Sequence, residues 1–149
     1  MEYLVAVDGS IEAENALAYA VDVANAMDGS VTVVHVVNPT VYDLGGMEPI
    51  STLSDADQRL IVESIEDAEE RAERLLEAAV ELATARTDDV GSELCYGDPV
   101  DEITALAEDR DVDGVFVGHR GRSERTEAMV GSVAKGIVER STVPVTVVR

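Results

Sequence analysis

An α/β domain built on one open, doubly wound parallel sheet is predicted by three observations. Short runs dominated by Val, such as Val31-Thr32-Val33-Val34 and Val143-Pro144-Val145-Thr146-Val147-Val148, alternate along the chain with longer stripes of helical period. These runs are almost continuously apolar, as strands covered on both faces must be. Aromatic residues make up only 3% of the chain and Trp is absent, so the core falls to Val, Ala, Leu and Ile packed between sheet and helices.

Strand 1 is expected over Tyr3 to Val7. Helix 1 follows from about Ser10 to Met27, with Ala13, Leu17, Ala20, Ala24 and Met27 on one face and Asp28-Gly29 as its stop. Strand 2 covers Ser30 to Val37. The stretch from Asn38 to Ser54, with Pro39, Gly45, Gly46 and Pro49, reads as a long loop of the kind that carries function. Helix 2 is expected from near Asp55, capped by Ser54 or Asp55, to about Arg86. Its stripe is Ile61, Ile65, Ala68, Ala72, Leu75, Ala79 and Leu82, and its other face is acidic. Strand 3 covers Gly91 to Tyr96. Helix 3 is announced by Asp98 as N-cap, Pro99 at its first position and Glu102 in its first turn. Strand 4 is Gly114 to Gly118, helix 4 opens at Gly131-Ser132, and strand 5 is Pro144 to Arg149.

Right-handed crossovers and short connections arrange five strands in the order 3-2-1-4-5 with helices on both faces, a Rossmann-like plan for one domain over residues 1–149. The topological switch lies between strands 1 and 4. Asp8 is therefore expected opposite Gly118-His119-Arg120-Gly121, where such sheets bind ligands.

The chain carries 31 acidic against 11 basic residues, a formal net charge of -20, and Lys135 is its only lysine. Such a charge disfavours nucleic acid and anionic lipid as partners. The acidic residues interleave with apolar positions, which describes the solvated surface of a folded protein. An acidic, lysine-poor surface suits a halophile's cytoplasm, where molar salt shortens the Debye length to about 3 Å; an acidic mesophilic protein is the alternative. With no basic n-region and no apolar stretch near the roughly 20 residues of a membrane span, a soluble cytoplasmic protein is expected. Cys95, the single cysteine, excludes an intrachain disulfide and reads as a small buried hydrophobe.

The most specific pattern is Gly118-His119-Arg120-Gly121, nine residues, then Gly131-Ser132, set between an apolar strand and a helix. Glycines let backbone N–H groups approach an anion, and the helix start adds its positive dipole end. Arg120, between the two glycines, suits a bidentate phosphate contact. Arg122 and Arg125 are as readily explained by Glu124 and Glu127. Asp8 can accept from a ribose hydroxyl or backbone N–H, meet phosphates through Mg²⁺, or cap helix 1, a role open also to Ser10. His35 is expected half-buried and satisfied at a strand end, and His119 in the loop beside the phosphates.

With G-x2-G-x9-G-[S/T] satisfied by Gly118, Gly121, Gly131 and Ser132, the chain resembles the universal stress protein family, in particular its ATP-binding branch. Tyr3 to Ser10, Val31 to Val37, Gly97-Asp98-Pro99 and Val143 to Val148 extend the resemblance over almost the whole length. It implies an adenine pocket lined by Ala6, Val7 and Val36, a role for Asp8 at the nucleotide, and phosphates held by Gly118, Arg120, Gly121, Gly131, Ser132 and Val133. ATP, or ADP or AMP, with Mg²⁺ met through Asp8, is the implied ligand, and a stress-survival switch with an unknown protein partner the implied role. Strand 5 would otherwise be an exposed apolar edge. Pairing across a two-fold axis, as the family does, implies a homodimer. No general base for water attack stands out, so no catalytic residue is assigned and at most slow hydrolysis is expected. The competing expectation is a nucleotide-free dimeric scaffold of the same fold. A Walker loop, a G-x-G-x-x-G fingerprint, an S-G-G-x-D-S loop and a G-x-S-x-G elbow are all missing from the sequence.

Overall fold

The computed structural model describes residues 1–39, 65–120 and 130–149. Five parallel strands form one sheet in the order β3-β2-β1-β4-β5. They are β1 (Glu2–Ala6), β2 (Ser30–Val37), β3 (Val90–Tyr96), β4 (Gly114–Gly118) and β5 (Val145–Val148). The helices are α1 (Ile11–Ala26), α2 (Ile65–Thr84), α3 (Pro99–Asp109) and α4 (Ser132–Arg140). The predicted strand order holds, β2 and β4 keep their expected bounds, and the other described boundaries move by at most two residues. Val7 lies just past β1, yet its N–H still donates to Val34 O at 2.9 Å. The expected start of α2 and the loop beyond Pro39 lie outside the described residues.

Alternation along the strands divides the core between the two faces of the sheet. Tyr3, Val5, Val31, Val33 and Phe116 pack with α1 and α2 on one face. Leu4, Val34, Val115 and Val117 pack with Ile103 and Ala107 of α3 and Ala134 and Ile137 of α4 on the other. Phe116 takes Tyr3 and Tyr19 edge-on, at ring centroid distances of 5.7 and 5.8 Å. Three of the chain's five aromatic rings thus meet at one spot.

Two positions depart from the expected stripes. Met27 is half exposed because α1 ends before it: Met27 is the C-cap, and Asp28 turns the chain in the left-handed region at φ 55°. On α2 the buried line runs Ala68, Ala72, Leu76, Ala79 and Ala83, while Leu82 is exposed. A 3.6-residue period carries the stripe through 76 and 83, and Leu75 is left at its margin. Cys95 is only partly buried and packs against the α3/α4 side of the core. Burial pushes its thiol pKa up, with Glu93 and Glu102 adding to the effect.

Candidate functional site

The carboxyl ends of β1, β2 and β4 open into a crevice holding a cavity of about 140 Å³. Ala6, Val7, Asp8, Val36, Gly118, Arg120, Ser132 and Val133 all line it, eight of the ten positions expected from the sequence. Gly131 stands immediately behind the lining as the N-cap of α4. Gly121 lies outside the described residues, as do Arg122 and Arg125.

Each wall has a local cause. The Asp8 carboxylate accepts from the Ser10 N–H at 2.9 Å, and Ser10 Oγ accepts from the Ala13 N–H at 3.1 Å. Ser10 is therefore the N-cap of α1, and Asp8 fixes the turn leading into it. Across the crevice, Gly131 caps α4 without a side-chain bond. The first-turn amides of α4 and the positive end of its dipole thus face the loop side of the crevice. The Gly131 N–H donates to His119 O at 2.5 Å, and the His119 N–H donates to Val148 O at 2.7 Å. His119 carries the β4–β5 ladder one residue further and anchors the start of α4 to it.

Gly118 is required by packing. A Cβ there would lie 2.8 to 2.9 Å from backbone atoms of Glu12 and Ala13. The first turn of α1 therefore seats against the tip of β4. That contact brings Glu12 to Arg120, whose Nε–H donates to Glu12 Oε1 at 2.7 Å. The side chains are only 22% and 15% exposed. The Arg120 guanidinium, hydrogen-bonded to Glu12, holds this carboxyl below its ordinary value of 4.5.

The two histidines differ in their surroundings. His35 is half-buried as expected, with Nδ1 2.7 Å from Val7 O. A carbonyl only accepts, so Nδ1 carries the proton and Nε2 of the neutral ring is an acceptor. His119 is 8% exposed, more deeply placed than a loop residue, and among the described residues its Nδ1 has no hydrogen-bond partner.

The sequence missed several contributors. Val34, Ile103, Val117 and Ala134 complete an apolar wall, and Pro99 closes its end. They fall within expected strands and helices, and hydrophobic periodicity cannot tell a core position from a pocket wall. Glu12 had no signal either, since its partner is 108 residues away. The crevice therefore combines an apolar slot, one carboxylate, one guanidinium and a helix start, a donor set suited to binding a flat apolar group attached to an anion. Among the described residues no three His, Cys, Asp or Glu side chains gather as a metal cluster. No described helix is long and apolar enough to cross a membrane.

Comparison with known proteins agrees with this fold. The universal stress protein YxiE of Bacillus subtilis is 30% identical over 146 residues, covering 98% of this chain and 97% of that protein. Universal stress protein UspA from Lactobacillus plantarum superposes with a TM-score of 0.78 at 21% identity, over 100% of this chain and 97% of that one. The Archaeoglobus fulgidus universal stress protein in complex with dAMP superposes with a TM-score of 0.67 at 24% identity, covering 100% and 98% of the two chains. The model of the universal stress protein family matches residues 2–149. Fold and sequence thus agree from end to end, and the chain belongs to the universal stress protein family.

Proposed function

We propose that this chain is a single nucleotide-binding domain that holds an adenine nucleotide, ATP with Mg²⁺ in the first instance, in the crevice between β1 and β4. The carrying observation is that Ala6, Val36, Asp8, Gly118, Arg120 and Ser132, drawn from four separate parts of the sequence, line one cavity. The base lies in the apolar slot of Ala6, Val36 and Ile103. Asp8 accepts from the ribose or meets Mg²⁺, and the α4 start with Arg120 takes phosphate. The dAMP complex of the archaeal relative supports an adenine nucleotide as the ligand class. The protein works as a stress-survival switch in the cytoplasm, with hydrolysis at most slow, because the sequence offers no evident general base for water attack.

Calorimetric titration of Mg-ATP, together with mass spectrometry of small molecules released on denaturation, tests this. Wild type should bind or carry adenine nucleotide and Gly131→Val should not. Absence of both from wild type would favour the nucleotide-free scaffold. That alternative draws on the half-exposed outer strand β5, beside which α1 leaves Ile11 and Tyr19 exposed and Asn15 bonded to Arg149 O. A homodimer through β5 is proposed in either case, and deletion of residues 146–149 should abolish it on a sizing column. Optimal stability in molar KCl is expected of so acidic a surface.

A further inference from the structure

We infer that Glu12 is a positioning residue of this site: it grips Arg120 by Nε and so presents the distal fork of the guanidinium to the ligand's phosphate. The inference rests on the nucleotide-binding function proposed above and adds a residue to it. Arg120 lines the cavity, and the Glu12 carboxylate meets it from the first turn of α1 at 2.7 Å. Nε is the guanidinium nitrogen nearest the backbone. A carboxylate on Nε leaves the two terminal nitrogens as the pair that can hold an oxyanion bidentately, while removing the rotation an arginine otherwise retains. Both side chains are mostly buried, so the pair is less screened than the exposed bridge between Arg140 and Asp101.

The backbone around the pair makes the positioning mechanical. Without a Cβ on Gly118, α1 approaches the tip of β4 closely enough for Glu12 to reach. Next to Arg120, His119 bonds to Gly131 at the start of α4 and to Val148 of β5. At the other end, Ser10 caps the same turn of α1 and is held by Asp8. A connected path therefore runs from Asp8 through Ser10, the first turn of α1, Glu12, Arg120 and His119 to Gly131, and it joins both walls of the crevice.

The test measures the phosphate-dependent part of affinity, which a change in fold alone would not single out. Adenosine and AMP are titrated into wild type, Glu12→Gln, Arg120→Lys and the control Asp101→Asn. In wild type AMP should bind more tightly than adenosine. In Glu12→Gln and Arg120→Lys that advantage should fall about tenfold while adenosine affinity is retained, the loss expected when a charged hydrogen bond is misaligned. Asp101→Asn should leave it unchanged. An unaltered advantage in Glu12→Gln overturns the inference. So does an enlarged one, which would make Glu12 a competitor of the phosphate for Arg120. Should Glu12→Gln lose adenosine binding as well, Glu12→Asp keeps the charge with a reach one methylene shorter and should lose part of the advantage; no loss overturns the inference. If wild type binds neither compound, or both equally, the proposed function itself fails, a result distinct from a variant that behaves like wild type.

Discussion

The two ends of the sheet solve opposite problems with the same strands. At the amino end, polar groups bond to one another. Glu2 donates its N–H to Asp113 Oδ2 at 2.9 Å, and the Asp113 N–H returns to Glu2 O at 2.8 Å. The Glu2 carboxylate accepts from Thr32 Oγ1 at 3.0 Å and from Arg110, which also reaches Glu93. At the carboxyl end, strands part into turns, and Asp8, Arg120 and Ser132 border a cavity. Topology explains the division. Helices running back from each strand bring their negative ends to the amino edge and their positive ends to the carboxyl edge. Arg110 at the C-cap of α3 and Arg86 just beyond α2 therefore stand where cations are favoured, and Arg120 stands at the other edge beside helix starts. One end is sealed by charge and the other is kept open for it.

The sharpest way to break this comparison is on β4 itself, which has a glycine at each end. Gly118→Ala should destabilise by about 3 kcal/mol, because its Cβ meets backbone atoms of α1 that cannot rotate away, and nucleotide binding should vanish with the seat of α1. A Cβ on Gly114 meets Tyr3 Cδ1 at 3.4 Å, an ordinary contact. Gly114→Ala should change stability by less than about 1 kcal/mol and leave binding intact. Urea unfolding with paired titrations checks both. Equal effects would mean that α1 does not depend on the carboxyl tip of β4.

A second pair compares two N-caps. Ser10 Oγ accepts from Ala13 N–H and Asp98 Oδ1 from Asp101 N–H, each at 3.1 Å. Ser10→Ala and Asp98→Ala should each lose about 1 kcal/mol of stability. Only the first should also weaken nucleotide binding, since Ser10 lines the crevice and its hydroxyl holds the first turn of α1, which carries Glu12. Equal affinities in the two variants would separate the cap of α1 from the site.

How much was legible in the sequence follows the same division. Strands, strand order and the cap Asp98 were readable because each depends on a simple rule: apolar runs, right-handed crossovers, a polar side chain three residues before an amide; the same rule left the cap of α1 open between Asp8 and Ser10. The crevice was readable through its glycines and Asp8. Of its apolar wall, Ala6, Val7 and Val36 came from the family resemblance, while Ile103 and Ala134 were hidden because they obey the same periodicity whether they meet side chains or a cavity. Gly118 was expected to admit an anion, and the structure adds a second reason in the approach of α1. Glu12 was one acidic residue among 31, distinguished only by a partner that the fold brings to it. Contacts made by long-range approach leave no local trace.

At the sealed end the expected effects are smaller. Arg110→Ala removes the ion pairs to Glu2 and Glu93, whose side chains are about a third exposed. Stability should fall by about 1 kcal/mol or less in low salt, less still in molar KCl, and nucleotide affinity should not change. A binding defect in this variant would show that the two ends are mechanically coupled and would weaken the division drawn above.

The smallest effect is a change in slope, and it isolates the open end. Arg120 holds the Glu12 carboxyl below its ordinary value of 4.5. The folded state therefore binds this proton more weakly than the unfolded chain does. The contribution of the pair is fully present above the ordinary value and is lost as pH falls through the lower folded one. Between those two points the stability of wild type should decline more steeply with acid than that of Glu12→Gln, which has no proton to take up at this position. Chemical unfolding at closely spaced pH values below 5, with both proteins in the same salt, measures the difference. Parallel curves would mean that Glu12 and Arg120 are solvated separately in solution. Convergence of the curves with falling pH would identify the pair as the acid-sensitive fastening between α1 and β4, at the end of the sheet where the crevice lies.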